Sequence, residues 1–282
     1  GLRWCMDAIM ALGILAASLL AGLVGSLFGL GGGIIIIPAL TLVFGLPIKE
    51  VIGASLIGVI AASTGAATRY VSEGMVNVRL GMVLEPATTL GSIVGALLAV
   101  YLDQHILAAA FAVILVYAAI YMYKGPQAPV DEPEQCVESL SCTFQDPVTG
   151  ECVSYKVRNL GKGLLASFGA GNMSGMLGVG GGIIKVPVMN VWMGVPMRAA
   201  TATSNFMIGV TALAGAAVLY ANGLISPVLA AVVAVGVFAG ASLGPRISRR
   251  TAGTSLRRAF AVVMLSIAVL MVLQASGLTV GG

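Results

Sequence analysis

The chain aligns with itself. Displaced by 149 residues, Gly29-Leu-Gly-Gly-Gly-Ile-Ile falls on Gly178-Val-Gly-Gly-Gly-Ile-Ile, Pro38 on Pro187, Gly45-Leu-Pro47 on Gly194-Val-Pro196, and Ser55 on Ser204. After a one-residue slip, Gly65-Ala-Ala and Tyr70 meet Gly215-Ala-Ala and Tyr220. The original offset then returns, and Ala110-Phe-Ala-Val matches Ala259-Phe-Ala-Val. One glycine cluster can recur by chance, but an ordered series of matches marks two copies of one structural unit. Whatever the fold, it is assembled from paired halves, roughly residues 12–123 and 161–272.

Each half is made of apolar runs. Leu12–Phe28, Val51–Thr68, Leu80–Tyr101, Ile106–Tyr123, Ala199–Tyr220, Val228–Leu243 and Ala259–Leu273 are of spanning or near-spanning length. A membrane helix needs about 20 such residues. Charged residues make up only 9% of the chain, against about 25% in soluble domains, so its solvent is lipid. The runs are continuous rather than alternating, which selects helices over barrel strands. The expected fold is an all-α polytopic protein of the cell membrane. The first run has a partner in the second half, so it is expected to belong to the fold and not to a removable leader. Residues 1–123 form the first repeat, 124–159 a linker and 160–282 the second repeat. The linker has no spanning run, and Asp146-Pro-Val-Thr-Gly150 has turn chemistry between β-formers, so a small hairpin is expected there.

Positive charge marks the cytoplasmic side. The loop at 246–258 carries Arg246, Arg249, Arg250, Arg257 and Arg258, whereas its first-half partner has only Asp103 and His105. Conversely, the loop at 69–79 carries Arg69 and Arg79, and its partner Ala221 to Ser226 carries no charge. The charge bias swaps between matched loops, as inverted repeats require. Inversion puts the linker in the cytoplasm and both termini outside, with an odd number of crossings per half. The net charge of +4 therefore reads as topology marking, not as a nucleic-acid surface.

Around each glycine cluster the chain is short for two ordinary crossings. In the second half, Gly163–Leu177 and Ile183–Val195 supply about 15 and 13 residues, or roughly 20 Å each, against a hydrocarbon core of about 30 Å. A re-entrant helical hairpin fits better, with about three spanning helices completing each half. Gly31, Gly32 and Gly33 would lie at one tip, and Gly180, Gly181 and Gly182 at the other. Glycine lets backbone N–H groups approach a ligand, and a helix N-terminus favours anions. Two tips meeting near the midplane would make one anion site between the halves. A nucleotide loop is excluded, because no Gly-Lys-Ser/Thr follows the cluster.

At these residues the chain resembles a known family. Ser26-Leu-Phe-Gly-Leu-Gly-Gly-Gly with Pro38, and Ser174-Gly-Met-Leu-Gly-Val-Gly-Gly-Gly with Pro187, are similar to the twin signature of the TauE/SafE permeases. The likeness includes Gly53-Ala-Ser-Leu56 and its counterpart Ala202-Thr-Ser-Asn205. It implies a permease of the kind linked to sulfite and organosulfonate export. The linker's 146–150 turn and Tyr155-Lys-Val-Arg-Asn159 resemble a cytoplasmic hairpin of some members. Two residues depart from the pattern: Lys185 stands where the first half has Ile36, and Asn205 where it has Leu56.

Several single residues carry expectations of their own. Lys185 lies one turn past Gly182 in an apolar stretch, and membrane ionisable residues face a cavity or a partner. It is expected to line the substrate path. Glu85 precedes Pro86 inside an apolar helix, where it either couples transport to an ion (H+ or Na+) or contacts solvent near a helix end. Thr203, Ser204, Asn205 and Ser55 can offer donors to an oxyanion, or can join helices by hydrogen bonds. Asn172 is a weaker candidate, and His105 is expected in a solvated loop. No C-x-x-C pair accompanies Cys5, Cys136, Cys142 and Cys152, so neither metal nor cofactor is expected. With no intramembrane catalytic set, an enzyme is the weaker reading. The expected partners are a small anion and the bilayer, with a passive anion channel as the alternative to a carrier.

Overall fold

The computed structural model describes residues 8–124, 137–145, 152–248 and 264–271. Cys5, Cys136, the turn at 146–150 and the arginines from Arg249 onward lie outside the described residues. Among those described, six helices are long and apolar enough to cross a membrane. They are α1 (Ala8–Phe28), α3 (Ile48–Ser72), α4 (Val78–Tyr101), α5 (Gln104–Lys124), α8 (Met197–Ala221) and α9 (Pro227–Ser248). α6 (Leu160–Leu177) precedes the second glycine cluster, and residues 264–271 are helical.

Two short helices follow the glycine clusters, α2 (Gly33–Pro38) and α7 (Gly182–Pro187). Each runs into a π-helical turn, Ala39–Val43 and Val188–Trp192. Proline has no N–H to donate back along the helix, and the wider turn begins just after Pro38 and Pro187. Leu46 N–H donates to the Leu40 carbonyl at 3.1 Å, and Val195 N–H to that of Met189 at 2.9 Å, which closes the two turns alike. The arms before the clusters are longer than expected. α1 has 21 residues and α6 has 18, about 32 and 27 Å at 1.5 Å per residue. Only the arms after the clusters are short, because helix continues through the residues flanking each apolar run.

The halves pack as exchanged images. α1 packs on α9 while its repeat mate α6 packs on α4; likewise α3 packs on α9 while α8 packs on α4. Glycine makes the closest of these seams. A Cβ on Gly22 or Gly240 would run into backbone across α1 and α9, and one on Gly91 or Gly95 into backbone across α4 and α6. These four are packing glycines of the two seams.

α3 and α8 run antiparallel where they cross. Ser63 of α3 donates to the Asn205 carbonyl at 2.6 Å, and farther along α8 Gly215 lies against Leu56, one end of α3 receding as α8 advances. Tyr70 and Tyr220, matched by the slip in sequence, do not occupy equivalent places: Tyr70 is 4% exposed and Tyr220 69%. α3 and α8 have 25 residues each, and their ends keep the 149 offset.

In the linker, β1 (Val137–Gln145) and β2 (Cys152–Val157) pair antiparallel. Leu140, Tyr155 and Val157 bury against Met75, Val76, Val186 and Met193. Asn77 ties this hairpin to α4. It donates to the Leu140 carbonyl at 2.9 Å and to the Tyr155 hydroxyl at 3.1 Å, and caps α4 by accepting from Leu80 N–H at 3.0 Å.

Candidate functional site: the glycine crossing and a buried polar triad

The two glycine clusters touch each other. Among the described residues the glycines at positive φ fall into pairs 149 apart: 29/178, 31/180, 32/181, 45/194 and 74/223. Left-handed backbone at Gly31–Gly32 and Gly180–Gly181 turns the chain into α2 and α7, where Ile36 N–H donates to the Gly32 carbonyl at 3.2 Å and Lys185 N–H to that of Gly181 at 3.1 Å. A Cβ on Gly33 would collide with the Gly178 carbonyl, and one on Gly182 with the Gly29 carbonyl. The tips are thus laid against one another in backbone contact. Val59 and Ile208, themselves repeat mates near the midpoints of α3 and α8, pack on both Gly31 and Gly180.

Two serines brace the crossing. Ser55 Oγ donates to the Gly178 carbonyl at 2.8 Å, and Ser204 Oγ to the Gly29 carbonyl at 3.2 Å. Both hydroxyl protons are thereby engaged with tip backbone. Asn205 Nδ2 donates to the carbonyls of Ser26 at 3.3 Å and Thr201 at 3.1 Å, while its Oδ1 is buried without a hydrogen-bond partner. Thr203 Oγ1 accepts from Asn77 N–H at 3.0 Å, which links α8 to the start of α4 and so to the hairpin. Asn172 lies in the α4–α6 seam, where its backbone meets Gly91 and Gly95. His105 is exposed, in the first turn of α5 rather than in a loop.

Lys185 and Glu85, singled out separately in the sequence, are neighbours. Lys185 is 2% exposed, and its Nζ lies 3.7 Å from Glu85 Oε2. Thr211 of α8, which the sequence did not single out, stands between them. Lys185 Nζ donates to Thr211 Oγ1 at 3.0 Å, and Thr211 Oγ1 donates to Glu85 Oε1 at 2.7 Å. Thr89 Oγ1 adds a donor to Glu85 Oε1 at 3.3 Å. Removing two charges from water costs several kcal/mol per ion, and the pairing offsets that cost. Thr211 lies one turn beyond Ile208, so the triad is one helical turn from the glycine crossing. At the 149 offset its members correspond to Ile36, Ala234 and Ala62. The repeat fills all three equivalent places, Ile36 and Ala62 in the first half and Ala234 in the second, with apolar side chains, so packing does not demand the polar ones. Among the described residues no group of three or more His, Cys, Asp or Glu side chains is placed to hold a metal.

The chain is similar to several probable membrane transporters. A probable membrane transporter of Bacillus subtilis, YunE, is 27% identical over 262 residues, covering 90% of this chain and 94% of the relative. A probable membrane transporter of Methanocaldococcus jannaschii is 26% identical over 86% of this chain and 88% of its own length. A third, from Haemophilus influenzae, is 27% identical over 90% and 95%. No solved structure matches. The family model described as sulfite exporter TauE/SafE matches residues 14–271. With six spanning-length helices among the described residues, its twin glycine clusters and this match, the chain is a multi-pass membrane transporter of the cell membrane and belongs to the TauE/SafE sulfite exporter family.

Proposed function

We propose that the protein is a secondary transporter for a small anion, a sulfur-containing oxyanion or organosulfonate such as sulfite or sulfoacetate. The anion binds where the two glycine tips cross, beside Lys185, and is carried by alternating access. The observation that carries this reading is Lys185 itself. It is a buried ammonium one turn past the second tip, at a position where the first half has Ile36. A positive charge held in an apolar bundle at a cost of several kcal/mol implies a negative partner with a function.

The halves are read as inverted repeats with the hairpin in the cytoplasm. The antiparallel crossing of α3 and α8 at their midpoints supports this, since a two-fold axis between antiparallel spanning helices lies in the membrane plane. The swap of positive charge between matched loops points the same way. Backbone contact between the tips, braced by Ser55 and Ser204, fits an occluded arrangement that must part to admit substrate. Gly31–Gly33 and Gly180–Gly182 then frame the anion, and Thr203 and Asn205 hold the surrounding helices.

The test is uptake of external sulfite, thiosulfate or isethionate by proteoliposomes under imposed ion gradients. A carrier accumulates its anion above the external concentration when a coupling gradient is present. A passive channel, the second reading, only equalises it.

A further inference from the structure

We propose that Glu85 is a tethered competitor for the substrate at Lys185, and that its displacement takes up one proton, so that anion and proton move together. This rests on the anion-carrier reading above and adds the coupling to it.

The geometry of the triad is incomplete in a specific way. An ammonium has three N–H donors. Among the described residues Lys185 Nζ makes one hydrogen bond, to Thr211. Glu85 Oε2 stands at 3.7 Å, within ion-pair range but beyond hydrogen-bond distance, and accepts no hydrogen bond. Lys185 therefore has donors to give an oxyanion, and the group in the way is a carboxylate of the same charge type. A sulfonate or sulfite oxygen reaching Lys185 competes there with Glu85 Oε2.

Once displaced, Glu85 loses its counter-ion inside an apolar bundle. An unpaired carboxylate there is far costlier than a neutral acid, so it takes a proton from water: carboxylate plus hydronium gives carboxylic acid plus water. The charge balances in both states. Empty, the site holds Lys185 positive and Glu85 negative. Loaded with a monoanion, it holds Lys185 positive, the anion negative and Glu85 neutral. On release the proton leaves, and Glu85 closes back on Lys185. Glu85 is also the ion-pair member that reaches the surface, its side chain 14% exposed against 0% for Lys185.

The charged residues of the helices packed on α4 lie near the helix ends, Lys162 on α6 and Arg198 on α8. α4 packs on α6 and α8, and Lys185 comes from α7. Residues 163–177 of α6 and 199–219 of α8 contain no Asp, Glu, Lys, Arg or His, and Lys185 is the only such residue of α7. On α4 itself the other charged residue is Arg79, six positions before Glu85. Thr89 and Thr211 supply hydroxyls that can bond either form of the acid.

The experiment uses full-length protein in proteoliposomes with a pH dye in the lumen, and isethionate and thiosulfate as probes, because both stay ionised in mildly acidic and mildly basic buffers. Wild-type protein given an inward isethionate gradient is expected to acidify the lumen as the anion enters. Glu85→Gln, a neutral isostere of the protonated acid, is expected to bind isethionate about tenfold more tightly in neutral buffer, lose the pH dependence of binding and move less than a tenth of the wild-type protons per anion. Anion entry by wild-type protein without acidification, or driven by Na+ instead, overturns the proposal, as does acidification retained in Glu85→Gln. If Glu85→Gln does not fold, the wild-type dye signal alone decides. If no probe moves or binds at all, the anion-carrier reading itself falls.

Discussion

Ser55 of the first half donates its hydroxyl to the Gly178 carbonyl of the second, and the reciprocal bond runs from Ser204 to Gly29. These bonds hold the two tips together, and the repeat makes them a matched pair. Ser55→Ala and Ser204→Ala each leave a buried carbonyl unsatisfied, at a cost of about 1–3 kcal/mol. Thermal unfolding in detergent should show both single losses, with Ser204→Ala the milder because its bond is longer. Because both protons are engaged with backbone, anion affinity at equal folded fraction should change less than twofold. A large affinity loss would return the serines to the role of substrate donors.

The ion pair gives a second prediction, about stability. Removing one partner of a buried pair costs about 3–5 kcal/mol, because the other charge is left uncompensated. Lys185→Met should therefore lower the melting temperature sharply. Lys185→Met with Glu85→Gln should recover most of the loss, since the repeat-equivalent places are filled by the apolar Ile36 and Ala234. Neither variant should bind an anion. A double variant no more stable than Lys185→Met would mean that Glu85 is held by groups other than Lys185.

Inversion is testable at repeat mates. Ser72 and Ala221 both end their helices, are exposed and lie 149 apart. Introduced singly into a chain lacking its native cysteines, Ser72→Cys should react with a membrane-impermeant maleimide from the cytoplasm and Ala221→Cys from the outside. The exposed thiol of Cys152 on the hairpin, kept as the sole cysteine, should react on the same side as Ser72→Cys. Reaction of both helix-end cysteines from one side would make the repeats parallel.

Much of this was legible because backbone rules are local. Glycine repeats, the prolines after them and the turn chemistry of the linker announce breaks, short helices and a hairpin without any knowledge of neighbours. Lys185 stood out because a charge in an apolar run is rare. Its partner arrangement was not legible. Thr211 in a helix reads as one more small polar residue, and only the packing of α4 on α8 places it between Lys185 and Glu85. The two serines were visible as a repeat pair, yet the direction of their hydroxyls depends on which carbonyl the opposite tip presents. The match of Tyr70 with Tyr220 misled because similar residues can drift along a helix face while the helix keeps its length.

The tip glycines separate two effects that sequence cannot distinguish. Gly95, a natural packing control, is unsuitable, because any Cβ there meets the Asn172 backbone. Gly169 of α6 is better, since a Cβ at that position faces open space, and Gly169→Ala should be neutral or slightly stabilising in a helix. Gly180→Ala meets two obstacles. Its φ of +81° is one that L side chains rarely adopt, and its new Cβ would lie 2.8 Å from Val59 Cγ1. The left-handed conformation costs about 1–2 kcal/mol, and the overlap adds to it. Val59→Ala removes the overlap without touching the backbone. The pair Gly180→Ala with Val59→Ala should therefore be less destabilised than the sum of the single variants, by an interaction energy of about 0.5–3 kcal/mol, with the conformational cost remaining. Gly182→Ala should not be rescued in this way, because its Cβ would strike the carbonyl of Gly29, and backbone cannot be truncated. Melting curves of the double-variant cycle measure this. Strict additivity would mean that Val59 gives way freely and that backbone conformation alone fixes glycine at position 180.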